Sequence, residues 1–371
     1  MPKPAAPKPR KKGQKTTLFL PTNGVGLGHA QRCTLIAAES PKGKSTAKFL
    51  AFPSCLPMIQ RFGFDATPLV QRTSQHAEGL ANDMVNFTRL KAATAPGDTL
   101  VFDGGYVFDS VFRTILNQEL NAVWIRRGLW SAAQDNRIPL SRETVFRRVL
   151  IPSEAFDDLN QRYSEGAHIH EIGPIVQKLG TAQRRKKVRA ALAKKLGVDF
   201  VRLVVTMLGG GVAADLSAHI QAVCNTVEAR KDTLNLIVVW PTAVVQPVWY
   251  GWQKSRVVTT HHAGLLADAA DMMVSAAGYN SFHEVLYNQI PCAFVPQVAS
   301  YMDDQTARAQ KAEELGLASF IEATKPGTLE REITRFLDGG KSETWRKALK
   351  AHDLPEPGNA QAARLIAEVG S

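Results

Sequence analysis

The residue best suited to moving a proton is His29, which closes the glycine-rich run Gly24-Val25-Gly26-Leu27-Gly28-His29. A neutral imidazole titrates near working pH, so a histidine aimed from a loop is a ready general base. Asp103, followed by Gly104 and Gly105, comes directly after the apolar run Leu100 to Phe102. That puts it at the carboxyl end of a strand, where open α/β sheets bind ligands. The same aspartate would serve equally as a turn residue capping the next helix. Anion chemistry is suggested at Ala276-Ala277-Gly278, a turn of small residues ahead of a helical pattern. The free backbone N–H groups near Gly278 to Phe282, with the helix dipole behind them, would accept a phosphate. Glu284 lies four residues after Asn280 on the same helix face, placed to accept two hydroxyl hydrogen bonds from a ribose joined to that phosphate. Ser281-x-x-Glu284 is also the spacing of a capping box, which needs no ligand. Both readings stand on spacing alone.

These residues need a scaffold of alternating strands and helices. Met272 to Ser275, the turn, a helix over about 281–287 and the run Cys292 to Val295 read as strand, turn, helix and strand. A polar loop then ends in Asp303-Asp304-Gln305. Earlier strands are expected at Thr17 to Leu20, Ala47 to Phe52, Leu100 to Phe102, Ala122 to Ile125 and Val149 to Ile151. Helices are expected from Ala30 to Glu39, Val107 to Gln118 and Glu154 to Arg162. Trp124 to Trp130 leaves a strand with two arginines, Arg126 and Arg127. They suit either an anionic acceptor or solvated positions around a core tryptophan. His168 and His170 share a strand face, but no carboxylate at matched spacing supports a metal site. The basic run Arg184 to Arg189 reads as solvated helix surface and marks a boundary between halves. Beyond it the alternation repeats: strand Val201 to Met207, triple glycine Gly209-Gly210-Gly211, helix Ala213 to Ala229, then strands Leu234 to Trp240 and Arg256 to Thr259. His261 and His262 read as loop residues. After Gln305 come a helix to Leu315, a strand, and helices from Leu329.

At 371 residues, 44% hydrophobic and 21% charged, the chain can bury two ordinary cores. Cys33, Cys55, Cys224 and Cys292 are far apart, each in or beside an apolar stretch, and read as reduced core thiols in a cytoplasmic setting. The uncharged run Thr233 to Gln253 contains Pro241 and Pro247, which favours a strand and loop over a membrane span. Residues 1–15 carry six basic residues and no acidic one. Removing those charges takes the net charge from +11 to +5. Such a tail attracts polyanions such as an acidic membrane surface, or serves only as a solubilising leader. No nucleic-acid-binding pattern accompanies it. A dinucleotide site is disfavoured too, because the first glycines are spaced GxGxG and the second strand ends in Pro53-Ser54 where a ribose-binding acid is needed.

Residues 267–316, through their order and spacing, resemble the nucleotide-sugar half of the two-domain inverting glycosyltransferases of family 28. The resemblance is good from about Phe200 to Phe336. It implies an α/β fold of two Rossmann-like domains facing across a cleft (GT-B): an acceptor domain over 16–175 and a nucleotide-sugar domain over 176–356. The helix over 357–371 then crosses back to the N-terminal domain. On this likeness Glu284 holds the ribose, and Ala277, Gly278, Tyr279, Asn280 and Ser281 hold the diphosphate. Gly209, Gly210 and Gly211 approach that diphosphate, Asp304 and Gln305 meet the donor sugar, and Gly26, Gly28 and His29 face it from the other domain. The implied reaction is metal-independent, cofactor-free hexosyl transfer from a nucleotide sugar, with uridine as the base, for cell-envelope polysaccharide or glycolipid synthesis. The acceptor would be lipid-linked or a polysaccharide, met peripherally at the inner membrane face. His29 is the expected base and Asp103 its competitor. Gly28-His29 followed by Arg32-Cys33 also resembles the UDP-sugar hydrolase of pseudaminic acid synthesis, which makes hydrolysis the alternative activity.

Overall fold

The computed structural model describes residues 15–22, 26–40, 46–71, 77–131, 135–178, 180, 182–208, 215–240, 246, 249–260, 263–299 and 302–370. Two sheets organise them. The first contains β1 (Thr16–Pro21), β2 (Thr46–Ala51), β3 (Asp65–Pro68), β4 (Thr99–Asp103), β5 (Asn121–Ile125), β6 (Arg148–Pro152) and β7 (Ile169–Ile172). The second contains β8 (Arg202–Met207), β9 (Thr233–Val239), β10 (Ser255–Thr259), β11 (Met272–Ser275), β12 (Cys292–Phe294) and β13 (Ser319–Phe320). Their orders are β3-β2-β1-β4-β5-β6-β7 and β10-β9-β8-β11-β12-β13, with every pairing parallel. Each is a doubly wound, Rossmann-like sheet.

Burial explains why the strands read as apolar runs. All residues of β1, β4, β5 and β9 are buried, as parallel strands must be when helices cover both faces. Alternation along β1 sends Phe19 into one core and Leu18 and Leu20 into another, on the opposite face of the sheet. In each sheet the strand order reverses once, between β1 and β4 and between β8 and β11. Ligand crevices form at such reversals, beyond the carboxyl ends of the strands.

The last helix, Asn359–Val369, packs on the first sheet. Its Ala362, Ala363, Leu365, Ile366 and Val369 share a core with Phe19 and Ile125. The returning chain crosses the end of β7 at Gly173 and Gly358. A Cβ on Gly173 would stand 1.9 Å from the Glu356 carbonyl oxygen, so the crossing requires a residue without a side chain.

Three local expectations change. The segment expected as a helix over Glu154 to Arg162 has only a short turn at Asp157–Leu159. Side chains hold its start instead: Glu154 N–H donates to Asn160 Oδ1 at 2.8 Å and Ala155 N–H to His283 Nε2 at 3.0 Å. Arg126 is fully buried, ion-paired with Glu143 at 2.8 Å, so it is not a solvated arginine. In the basic helix Ala182–Leu196, Arg185 and Arg189 are partly drawn in by Asp271 at 2.5 and 3.0 Å. Residues 1–14, Gly24, Gly209 to Gly211, His261 and His262 lie outside the described residues. No described helix is long and apolar enough to cross a membrane.

Candidate active site

The helix Gly28–Ala38 starts beyond β1 and carries His29 to the mouth of the first sheet's crevice. Neighbouring β4 ends in Asp103, which is fully buried. His29 Nδ1 lies 2.7 Å from Asp103 Oδ1. One turn further along the helix, Arg32 grips the same carboxylate, Nε to Oδ2 at 2.8 Å and Nη2 to Oδ1 at 2.5 Å. Cys33 Sγ approaches Oδ2 at 3.7 Å. Burial alone would raise the Asp103 pKa, but the charges and hydrogen bonds of Arg32 and His29 outweigh it and bring the carboxyl to about 2. An ionised carboxylate only accepts, so Nδ1 of His29 is the donor in this contact, and in the neutral ring that tautomer leaves the lone pair on Nε2. The two residues that competed for one role in the sequence thus form a dyad, with an imidazole oriented by a buried carboxylate.

Across the cleft, the turn after β11 leads into the helix Tyr279–Tyr287, whose N-cap is Gly278 and which has no side-chain cap. The first intrahelical bond runs from Phe282 N–H to the Gly278 carbonyl at 2.9 Å. The amides of Tyr279, Asn280 and Ser281 therefore have no acceptor within the helix. With Gly278 as the cap, Ser281 is the third helical residue and Glu284 lies a full turn inside. The capping box does not form. Glu284 is 7% exposed and accepts from Gln31 Nε2 of the opposite domain at 2.5 Å. Burial raises its carboxyl to about 7, against the opposing effect of that hydrogen bond.

Between these elements lies a cavity of about 280 Å³. Its walls include Gly26, Gly28, His29 and Arg127 from the first domain, and Gly278 to Ser281, Asp303 and Gln305 from the second. Ala277, Asp103 and Glu284 stand behind this lining. Asp304 is not part of it: its carboxylate caps the helix Gln305–Glu314 by accepting from Ala307 N–H at 2.9 Å. Gln305 Oε1 accepts from Gln297 N–H at 3.0 Å. Asn280 Nδ2 donates across the cleft to the Gly28 carbonyl at 3.0 Å. The phenol of Tyr279 donates to the Ser153 carbonyl at 3.0 Å and accepts from Ile175 N–H at 3.2 Å. Its side chain thus ties the domains together, while its amide stays with the helix start.

Beneath the cavity, a buried ionic cluster joins the halves. Arg308 makes a two-pronged contact with Glu154 at 2.8 and 2.7 Å, also contacts Asp303, and donates to the Ala277 carbonyl at 3.2 Å. His283 accepts from Ala155 N–H through Nε2, and its Nδ1 lies 2.7 Å from the Tyr279 carbonyl. Burial, with the nearby Arg308 charge, outweighs Glu154 and lowers its pKa to about 4, so the ring is neutral. Sequence reasoning gave no role to Arg308, Asp303 or Gln31, and named Arg32 only as part of the hydrolase-like motif. Arg32 also stands one turn beyond His29, whereas the other partners are brought together by tertiary structure.

With this geometry established, comparison places the chain among known proteins. Residues 204–357 match the glycosyltransferase family 28 C-terminal domain. The resemblance extends to the whole fold, which is glycosyltransferase-like and of the GT-B type. MurG from Acinetobacter baumannii superposes with a TM-score of 0.57 at 14% identity, covering 95% of this chain and 99% of that one. The glycotransferase of kitacinnamycin gives 0.60 at 14% identity over 96% and 99%. UDP-GlcNAc 2-epimerase from Neisseria meningitidis bound to UDP-GlcNAc gives 0.67 at 11% identity over 95% and 98%, so the same fold also carries epimerases. No curated protein sequence matches. The family 28 match contains the helix Tyr279–Tyr287, Asp303 and Gln305. His29, Asp103 and Arg127 lie before it.

Proposed function

We propose that this glycosyltransferase-like chain moves a hexose from a UDP-sugar to an acceptor hydroxyl, with inversion and without a metal. The single observation that carries the reading is the Asp103-held His29 facing, across one cavity, a helix start with uncapped amides. His29 Nε2 removes the acceptor proton as the acceptor oxygen bonds to the anomeric carbon from the face opposite the diphosphate. The anomeric C–O bond breaks, its electron pair passes to the diphosphate, and the amides of Tyr279, Asn280 and Ser281 stabilise the added charge. Glu284 receives the ribose hydroxyls when Gln31 withdraws. Gln305 belongs to the sugar side of the site, whereas Asp304 is spent on capping its own helix. The basic residues 1–15 suit an acceptor at an acidic membrane surface, lipid-linked or polysaccharide, as in cell-envelope synthesis.

A UDP-induced rise in melting temperature that Glu284→Ala abolishes tests donor binding. Screening nucleotide sugars with product release tests transfer, and the anomeric configuration of the product tests inversion. Turnover should be unchanged in excess EDTA, and loss of turnover restored by a divalent ion would refute metal independence.

The second reading is UDP-sugar hydrolysis. It is favoured by Arg32 and Cys33, which belong to the motif shared with the hydrolase of pseudaminic acid synthesis and both touch Asp103. Rapid release of free sugar without an acceptor would select it.

A further inference from the structure

The two arginines leaving β5 diverge. Arg126 turns inward to Glu143 and Ser164, whereas Arg127 lines the cavity beside His29 and opposite Asp303. The position of Arg127 is built by its neighbours. A Cβ on Gly105 would fall 2.2 Å from its Nη2 and 3.2 Å from its Nε, so the guanidinium lies flush on the Gly105 backbone. Trp130 supports it through a cation–π contact at 5.0 Å. Burial works against its charge, and Asp303 favours it. Asp303 is itself held by Arg308.

The direction of the bound donor follows from the second domain, and this step rests on the nucleotide-sugar reading above. With the diphosphate at the amides of Tyr279 to Ser281 and the ribose toward Glu284, the transferred sugar extends the other way. It meets Gln305, whose Nε2 is 3.7 Å from where a Gly278 Cβ would stand, and Asp303. The wall facing it carries His29 and Arg127. A planar guanidinium held at a fixed angle matches a carboxylate through two parallel hydrogen bonds, which a neutral hydroxymethyl group cannot reproduce. We propose that Arg127 reads a carboxylate on the transferred sugar, so that the donor is a nucleotide-linked uronic acid.

The test is calorimetric binding to the full chain of UDP, UDP-glucuronate and UDP-galacturonate, with UDP-glucose and UDP-galactose as neutral counterparts. One of the acidic donors should bind at least about tenfold more tightly than its neutral counterpart, the scale of a hydrogen bond to a charged group. Arg127→Gln should remove that difference, with any loss of UDP affinity smaller than the loss for the acidic donor. Arg127→Lys, which keeps the charge but loses the fork, should recover only part of it. Equal binding of acidic and neutral donors overturns the inference. So does a loss of UDP affinity in Arg127→Gln as large as the loss for the acidic donor, since the guanidinium would then serve the diphosphate. If UDP itself fails to bind, the nucleotide reading falls and this inference with it. If UDP binds without discrimination between sugars, only the inference falls.

Discussion

His29 Nδ1 stands 2.7 Å from Asp103 Oδ1, and Arg32 grips the same carboxylate. The two side chains are therefore separable by experiment. His29→Ala removes the base and leaves the buried Arg32–Asp103 pair in place. Turnover should fall about 10²- to 10⁴-fold with little change in urea midpoint. Asp103→Asn should lower turnover and also destabilise the fold by about 3–5 kcal/mol, because Arg32 is left buried without its counter-charge. Initial rates and urea unfolding on both variants check this, and full turnover in His29→Ala would eliminate the proposed base.

Glu284 gives a pH signature. Its folded carboxyl is raised from 4.5 to about 7, so between these values the folded chain holds a proton that the unfolded chain has released. The stability this group contributes is present at low pH and lost as pH rises through about 7. Glu284→Gln has no such slope and should gain on the order of 1–3 kcal/mol relative to the native chain between pH 5 and pH 8. UDP affinity of the native chain should move the other way, strengthening with pH as the carboxylate ionises. Parallel slopes for the two proteins would show that Glu284 does not titrate in this range.

The Arg308–Glu154 pair spans the two halves in full burial, at 2.7 Å. Arg308→Met strands Glu154 and Asp303, and should cost about 3–5 kcal/mol by urea unfolding. Adding Glu154→Gln should recover part of the loss. If the double variant is no more stable than the single one, the charge on Glu154 is not what the arginine compensates.

At the chain crossing, Gly173→Ala forces a Cβ to within 1.9 Å of the Glu356 carbonyl oxygen. The backbone must part there, at a cost of about 1–3 kcal/mol. The helix Asn359–Val369 should become the first site of limited proteolysis, with protease resistance equal to the native chain as the contrary result.

The alternation of buried strands and helices was legible because two-sided burial leaves runs such as Leu100 to Phe102 uninterrupted. β3 was missed because Asp65–Pro68 is an exposed, polar edge strand, and the helix Ala77–Ala93 because its hydrophobic pattern is weak. In the site, His29, Asp103 and Glu284 were readable from their places at strand ends and on a helix face. Their relations were not. Nothing in the local sequence joins Asp103 to His29 across 74 positions, or Gln31 to Glu284 across 253. Spacing alone also left Ser281 and Glu284 readable as a cap, and only the Gly278 cap position removes that option.

Tyr279 opens the helix whose first turn lines the cavity, yet its phenol is anchored in the backbone at Ser153 and Ile175, in the opposite domain. Swinging one sheet against the other must therefore pull on the first turn of that helix. Cleft geometry and amide aim are geared to one another, so substitutions that only loosen the contact between the domains should also blur the aim of those amides.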